Sequence, residues 1–309
     1  MTTTFTTIQQ LRATLQPLRQ QQKIALVPTM GNLHAGHIEL VKRAKAQADI
    51  VIVSIFVNPT QFGVGEDLDS YPRTLAADTE KLVEVGADYI FAPSVAEMYP
   101  VMPPPTQVLA GAISQQLCGH SRPTHFDGVG LVVSKLFNIV QPDIAVFGQK
   151  DYQQLAIIRQ LVRDLSYDID IIGAPIVRAE DGLALSSRNQ YLSAAERAIA
   201  PALHREVDRL ATQLAQGEHL SSKGENEHGS NDHQDPMTQL QTLISDTIGR
   251  INETGFKIDY LEVKNQDLTE IADRNELTTT TDLVIITAAW LGNARLLDNQ
   301  EVRVAPKLR

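Results

Sequence analysis

Residues 24–37, IALVPTMGNLHAGH, decide the fold of this chain. Four apolar residues, typical of a buried parallel strand, lead into a polar turn, and a helical pattern continues from the turn to Ala46. At the carboxyl end of a parallel strand, the free N–H groups and the dipole of the following helix attract phosphate. The stretch therefore predicts a phosphate-binding turn in an α/β protein.

Composition limits the classes of protein to which the chain can belong. Its 309 residues, 43% of them apolar, are enough for a substantial core and about two domains. The formal net charge of −10 argues against nucleic-acid binding, which needs clustered Lys and Arg. Apolar runs such as residues 50–57 are of strand length, well short of the roughly 20 residues that span a bilayer. The first residues do not resemble a signal peptide and Cys118 is the only cysteine, so we expect a cytoplasmic protein without a membrane partner.

Strand-like and helix-like segments alternate along the first half of the chain. The predicted strands are residues 24–27, 50–57, 89–91, 144–147 and 169–172. The predicted helices are residues 8–19, 38–46, 75–85, 129–139 and 152–165. This alternation predicts an α/β fold with a doubly wound, Rossmann-like parallel sheet over residues 1–176.

The pattern changes near residue 177, where we expect a smaller C-terminal α+β lid domain, residues 177–309. Its predicted helices are 194–215 and 240–251, and its predicted strands are 258–263 and 283–289. Residues 217–236 hold almost no large apolar side chain and are interpreted as a flexible surface insertion. The irregular spacing of His219, His228 and His233 within it favours a solvated linker over a metal site.

The turn itself carries two histidines, His34 and His37, three residues apart. On one helical turn they share a face, and both imidazoles can donate hydrogen bonds to phosphate oxygens. Gly36 costs about 1 kcal/mol relative to alanine inside a helix, so its presence suggests the close approach of a flat base. A metal pair or two surface histidines are alternatives that this turn does not exclude, although the H-E-x-x-H zinc pattern is absent.

Three further loops follow predicted strands. In Gly148-Gln149-Lys150-Asp151, Lys150 suits a phosphate, and Asp151 either caps the next helix or binds a ribose hydroxyl. Leu185-Ser186-Ser187-Arg188 offers two hydroxyls and a guanidinium to polyphosphate, with a helix-capping segment as the alternative. Gln61 lies in the third loop and Gln154 one turn beyond Lys150; both can offer a neutral amide to a small acid, although the Asn-Pro before Gln61 also marks an ordinary turn.

Taken together, these segments resemble the pantothenate synthetase (pantoate–β-alanine ligase) family. That family belongs to the HIGH-motif nucleotidyltransferase superfamily, which includes class I aminoacyl-tRNA synthetases. The matching segments are VPTMGNLHAGH at 27–37, VSIFVNPTQFG at 53–63, FAPSVAEMYP at 91–100, AVFGQKDYQQL at 145–155 and LALSSRNQYLS at 183–193. The histidine pair matches the HIGH motif, and residues 185–188 occupy the place of the KMSKS loop without its lysines.

The resemblance implies a role for particular positions. Contacts with ATP are implied at Met30, Gly31, Asn32, Leu33, His34, Ala35, Gly36, His37, Gly148, Gln149, Lys150, Asp151, Val177, Leu185, Ser186, Ser187 and Arg188. The implied catalytic groups are His37, as proton donor, with His34, Lys150 and Arg188. Gln61 is implied to bind pantoate and β-alanine, Gln154 to bind pantoate, and Asp78 to help hold Mg²⁺. Thr60 departs from the family pattern, because an apolar residue is expected there.

The resemblance also implies a reaction and an assembly. ATP and pantoate would form a pantoyl adenylate, which β-alanine converts to pantothenate with release of AMP, in a homodimer. The main alternative is another HIGH-superfamily nucleotidyltransferase that acts on a different small acid, and the two glutamines discriminate between these readings. A non-catalytic nucleotide-sensing module is a further alternative, which four convergent loops make less favourable.

Overall fold

The structure is a computed structural model that describes residues 2–63, 65–217, 235–273, 276–277, 279 and 281–304. Contacts divide the chain into two compact units, Met1–Val177 and Arg178–Arg309. The predicted insertion at 217–236 lies almost wholly outside the described residues. None of the helices within these ranges is long and apolar enough to cross a membrane.

The first unit contains six strands and seven helices among its described residues. The strands are β1 (Thr3–Phe5), β2 (Ile24–Thr29), β3 (Ile50–Ile55), β4 (Tyr89–Phe91), β5 (Ile144–Gly148) and β6 (Asp170–Ala174). The helices are α1 (Ile8–Leu15), α2 (Ala35–Lys45), α3 (Leu75–Val85), α4 (Val95–Met98), α5 (Cys118–Ser121), α6 (His125–Val140) and α7 (Tyr152–Asp164). Short 3₁₀ helices lie at Pro59–Gln61, Ala112–Gln115 and Gln149–Asp151.

All six strands run parallel, in the order β1-β4-β3-β2-β5-β6. The chain moves outward from β2 through β3 to β4 and then returns to the other side of β2 with β5. The strand order therefore reverses between β2 and β5, and ligands of such sheets bind at the carboxyl ends of the strands at this switch point. The predicted doubly wound sheet is confirmed.

The sheet is buried on both faces, which explains the unbroken apolar run at its start. In β2, Ile24 and Leu26 belong to one core cluster, while Ala25 and Val27 belong to the cluster on the opposite face. All four side chains are fully buried. Alternate residues of a strand point to opposite faces, so a strand covered on both sides needs apolar residues at every position.

The second unit is a smaller α+β unit. Its helices are α8 (Ala194–Ile199), α9 (Ala202–Ala215) and α10 (Pro236–Glu253), and its strands are β7 (Lys257–Asn265), β8 (Thr281–Leu291) and β9 (Ala294–Val304). The strands form an antiparallel sheet in the order β7-β8-β9. The single helix predicted over 194–215 is wrong, because Pro201 lacks the N–H that a continuous helix needs at that point.

Candidate active site

The turns that follow β2 and β5 lie at the switch point of the parallel sheet. Strand β2 pairs with β5 through Ala25 and Leu26, so the two strands end side by side. The turn after β2 carries the histidine pair, and the turn after β5 carries Lys150. The two predicted phosphate loops of the first unit are thus brought together by the order of the strands.

His34 and His37 cap helix α2 reciprocally. Nδ1 of His34 accepts a hydrogen bond from the backbone N–H of Gly36 at 3.1 Å, and Nδ1 of His37 accepts one from the backbone N–H of His34 at 3.3 Å. The helix begins at Ala35, so His34 is its N-cap and does not lie inside the helix, which corrects the placement predicted from the spacing. The ring centroids are 4.1 Å apart. Capping and proximity together fix the orientation of both rings.

These contacts also fix the tautomers and the charge of the two imidazoles. Because both Nδ1 atoms accept hydrogen bonds, the hydrogen-bond network assigns the proton of each neutral ring to Nε2. Loss of solvent, with the charge of Lys150 second, lowers the pKa of His34 to about 4. Loss of solvent, followed by the neighbouring His34 and then Lys150, lowers the pKa of His37 to about 3. At neutral pH, each ring is therefore an uncharged donor of one Nε2–H hydrogen bond.

Lys150 supplies positive charge beside the histidine pair, since its charge contributes to lowering both histidine pKa values. Its Nζ lies 3.3 Å from Oδ1 of Asp151. Asp151 occupies the N-cap position of α7 but makes no side-chain capping bond, so the capping role left open by the sequence is not observed. A lysine and two Nε2–H groups form a local set of donors for an anion in a chain whose net charge is negative.

Gln61 lies beside the histidine turn, as its amide Nε2 is 3.2 Å from Sδ of Met30. The side chain is buried, and its Oε1 accepts a hydrogen bond from Nδ2 of Asn58 at 3.1 Å. This places one of the two predicted pantoate ligands at the same edge of the sheet as the predicted ATP turn.

Asn58 is held by a buried network. Its Oδ1 accepts hydrogen bonds of 2.9 Å from both the hydroxyl of Tyr99 and that of Thr60, and its Nδ2 also donates to the carbonyl of Gly128 at 3.1 Å. Burial raises the pKa of Tyr99, so its hydroxyl stays a donor. Thr60 was singled out as a departure from the family pattern, and its hydroxyl belongs to this network.

Gln153 and Gln154 are neighbours with different environments. Gln153 is buried; its Nε2 donates to the carbonyls of Ile113 and Gln116, and its Oε1 accepts from the N–H of Cys118. Gln154 is partly exposed, and its side chain makes no hydrogen bond within the described part of the chain. The role of Gln154 as a pantoate ligand stays a prediction, whereas Gln153 holds the segment that precedes α6.

A chain of polar contacts that ends at the backbone carbonyl of Gln61 was not predicted from the sequence. Nδ1 of His125 donates to the backbone carbonyl of Gln61 at 2.7 Å, and Nη1 of Arg122 donates to Nε2 of the same ring at 3.1 Å. Nε of Arg122 donates to Glu66 at 2.8 Å, and this hydrogen bond lowers the pKa of Glu66. Burial lowers the pKa of His125 to about 4, and the positive charge of Arg122 is the second cause of this shift. Because 64 residues separate His125 from Gln61, only the fold reveals this contact.

Asp78 does not fit the Mg²⁺ ligand that the resemblance implies. Its side chain has no solvent-accessible surface, and its oxygens accept hydrogen bonds from the backbone N–H groups of Asn32 and Leu33 and from the hydroxyl of Thr74. Mg²⁺ usually keeps several water ligands, which such a position does not admit. Among the described residues, no group of three or more His, Cys, Asp or Glu side chains is arranged to hold a metal ion.

The remaining predicted ATP contacts lie near and beyond the end of the first unit. Val177 is its last residue and is partly buried. In the second unit, Oγ of Ser186 accepts a hydrogen bond from the N–H of Arg188 and caps the 3₁₀ helix Ser187–Tyr191. The capping role that the sequence left open for Leu185–Arg188 is therefore present, and contact with ATP stays a prediction.

A parallel sheet with a capped histidine pair and a lysine at its switch point defines a nucleotide-binding α/β enzyme. The family model for pantoate-beta-alanine ligase matches residues 3–301. The chain belongs to the pantoate–β-alanine ligase family, and it is accordingly a carbon–nitrogen bond-forming ligase.

Similar proteins agree with this family. The chain is 68% identical to a pantothenate synthetase from Psychrobacter sp. (strain PRwf-1), an alignment that covers 98% of this chain and 99% of that protein. Its fold matches a pantothenate synthetase crystal structure from Thermus thermophilus with a TM-score of 0.81 at 40% identity, over 96% and 98% of the two chains. A pantoate-beta-alanine ligase from Francisella tularensis, complexed with beta-gamma ATP and beta-alanine, matches with a TM-score of 0.74 at 34% identity, over 97% of both chains.

Proposed function

We propose that this enzyme condenses pantoate with β-alanine at the expense of ATP, and that the switch-point turns after β2 and β5 perform the adenylation. The observation that carries the proposal is the convergence of His34, His37, Lys150 and Gln61 at the end of the sheet, in a chain of this ligase family. The pantoate carboxylate attacks the α-phosphorus of ATP, which yields pantoyl adenylate and pyrophosphate. The β-alanine amine then attacks the acyl carbon and releases AMP.

The enzyme supplies no covalent nucleophile in this scheme, so the protein acts by positioning and by stabilising charge. The Nε2–H groups of His34 and His37 and the ammonium group of Lys150 donate to the phosphate oxygens on which charge grows. A hydrogen bond to a charged group contributes about 1.5–3 kcal/mol, so loss of one such donor slows adenylation by about 10- to 100-fold or more.

The proton-donor role of His37 depends on bound ATP. With a pKa of about 3, the imidazole is neutral in the ligand-free protein and has no extra proton to give. A nearby anion favours the charged form of a histidine and raises its pKa. Bound polyphosphate therefore promotes protonation of the His37 ring, and the phosphate that can receive this proton is present at the same time. The burial that depresses this pKa thereby couples protonation to substrate binding.

Pantoate is recognised by neutral amides in this proposal. Gln61 is held with Oε1 bound to Asn58, so its Nε2 offers N–H donors to the substrate, and Gln154 offers a second amide. A full positive charge at these positions would lower the nucleophilicity of the pantoate carboxylate. The Francisella tularensis protein is a complex with beta-alanine, which supports a β-alanine site in this chain as well, with Gln61 as one of its ligands.

The homodimer, the cytoplasmic location and the contacts of individual residues with ATP and pantoate, including those of Leu185–Arg188 with ATP, stay predictions from the family resemblance or the sequence. No step of the scheme is assigned to Mg²⁺, because the one residue implied to bind it does not fit.

The order of product release tests the proposed function. Purified enzyme should release pyrophosphate only when both ATP and pantoate are present, and AMP only after β-alanine is added. Pyrophosphate release with another small acid but not with pantoate would favour the alternative nucleotidyltransferase, and release of neither product would contradict both. His37→Ala should slow pyrophosphate release about 10- to 100-fold, while His120→Ala, at an exposed histidine of the same unit, should leave it unchanged.

A further inference from the structure

A buried carboxylate binds the backbone of the turn that carries His34 and His37. Asp78, on the first turn of α3, is fully buried. Its Oδ2 accepts the backbone N–H of Asn32 at 2.9 Å and its Oδ1 that of Leu33 at 2.8 Å, while the hydroxyl of Thr74 donates to Oδ2 at 2.9 Å. One carboxylate thus binds two successive N–H groups of the turn, directly before His34.

The same helix holds the turn at a second point. Nζ of Lys81 donates to the backbone carbonyl of Leu33 at 2.6 Å. Helix α3 therefore binds both polar groups of the Leu33 backbone, with Asp78 on the N–H and Lys81 on the carbonyl. The side chain of Leu33 is buried as well, so this residue is fixed by packing and by hydrogen bonds.

The backbone of the turn requires such support. Gly31 and Asn32 both have positive φ, +82° and +51°, in the left-handed region. A non-glycine residue in that region is strained, and the surrounding contacts must offset the strain. A Cβ on Gly31 would lie 3.1 Å from Oδ2 of Asp78 and 3.2 Å from Cγ2 of Ile55, so the close approach of the carboxylate also needs glycine at that position.

We propose that Asp78 and Lys81 are positioning residues for ATP, and that Asp78 acts through the turn rather than as a Mg²⁺ ligand. They hold Asn32 and Leu33 so that His34 enters α2 as its N-cap and both rings keep Nε2–H available. The inference rests on the proposed function, because it assigns these residues to the adenylation step. It goes further by naming groups that support the site without touching a substrate.

Asp78→Asn is the sharpest variant, since it keeps the shape of the side chain. An amide has one acceptor and one donor end, so one of the two turn N–H groups faces an NH₂ group and loses its bond. Lys81→Met removes the second contact with the turn. Because a lysine ammonium group does not bind a metal ion, this variant tests positioning alone. Asp88→Asn is the matched control, because Asp88 also accepts a backbone N–H, that of Val51, at the start of β3.

Binding of ATP in the absence of metal distinguishes a positioning role of Asp78 from a role as a Mg²⁺ ligand. In a buffer with EDTA, titration calorimetry should show that Asp78→Asn and Lys81→Met each bind ATP about tenfold or more weakly than the wild type, and that Asp88→Asn binds as the wild type does. The Mg²⁺ concentration that gives half-maximal pyrophosphate release should be the same in all four proteins. The KM for ATP should rise in the Asp78 and Lys81 variants, and the KM for β-alanine should stay constant.

Two results would overturn the inference. The first is unchanged ATP affinity in EDTA together with a Mg²⁺ requirement that rises several-fold in Asp78→Asn and is met by excess metal. The second is a lower melting temperature with no change in the KM for ATP, which marks a purely structural role. Lys81→Met alone decides the question if Asp78→Asn does not fold. Failure of the proposed function is distinct, because the wild-type protein would then release no pyrophosphate with pantoate and ATP.

Discussion

Nδ2 of Asn58 donates to Oε1 of Gln61 across 3.1 Å, and this contact decides which end of the Gln61 amide faces a substrate. The orientation of Asn58 is itself fixed, because two hydroxyls donate to its Oδ1 and the carbonyl of Gly128 accepts from its Nδ2. Oxygen and nitrogen of an amide are assigned from such networks, and here every contact agrees. Gln61 therefore acts as a hydrogen-bond donor.

Asn58→Asp should impair pantoate binding by undoing this orientation. A carboxylate has no N–H to give to Oε1 of Gln61 and repels the carbonyl of Gly128, so the Gln61 amide loses its fixed position. We expect the KM for pantoate to rise about 10- to 100-fold, measured by pyrophosphate release. Asn138→Asp, at an exposed position on α6, is the control. A pantoate KM within about twofold of the wild type in Asn58→Asp would contradict the assignment.

Thr60→Val should show a weaker form of the same defect. Valine keeps the shape of threonine but removes the hydroxyl that donates to Oδ1 of Asn58. A net hydrogen bond is worth about 0.5–1.5 kcal/mol, so the pantoate KM should rise about 2- to 10-fold at nearly constant kcat. Thr60→Ser should restore the wild-type value. Equal KM values in the valine and serine variants would show that the hydroxyl has no role in orientation.

Adjacent glutamines provide a matched pair for the second amide. Gln154→Ala should raise the pantoate KM and leave the melting temperature nearly unchanged, because its partly exposed side chain makes no hydrogen bond in the described structure. Gln153→Ala should lower the melting temperature by several degrees, because it removes the three hydrogen bonds that this buried amide makes with the backbone of residues 113–118. Steady-state kinetics and thermal unfolding of both variants check the contrast. An exchange of the two outcomes would refute it.

Much of the fold was predictable, because burial leaves a direct trace in the sequence. A parallel strand covered on both faces is apolar at each position, and the run from Ile24 to Val27 shows this without interruption. Strand β1 was not predicted, because its three residues at the edge of the sheet are too few to show a periodic pattern of apolar side chains. Strand β9 was also missed: charged and amide residues break its apolar pattern, and its pairing with β8 fixes its place.

The site was predictable only where its residues are close in the chain. His34 and His37 share one turn, so their spacing indicates the site directly. The residues that hold them come from elsewhere: Asp78 lies 45 residues from Leu33. Tyr99 lies 41 residues from Asn58, and no spacing rule relates these pairs. Such contacts depend on the order of the strands, and the side chains that support a site therefore appear only in the structure.

The depressed pKa values of His34 and His37, about 4 and about 3, predict how stability depends on pH. The unfolded chain has histidines near the ordinary value of 6.5, so below that pH the unfolded state binds more protons than the folded state, and acid favours unfolding. The stability that the neutral rings contribute is complete above about pH 6.5 and is lost as the pH falls toward about 4 and then about 3. Replacement of both histidines by glutamine removes these two titrations.

The double variant His34→Gln/His37→Gln should therefore lose less stability than the wild type as the pH falls from about 7 to about 4.5. Urea unfolding at several pH values measures the free energy of unfolding of each protein, and only the difference between their pH dependences reports on the histidine pair, since carboxylates titrate in both. His120→Gln, at an exposed position, should follow the wild type. Parallel curves for the double variant and the wild type would show that the folded protein accepts protons on these rings, and the neutral, Nε2–H-donating pair on which the proposed mechanism depends would have to be abandoned.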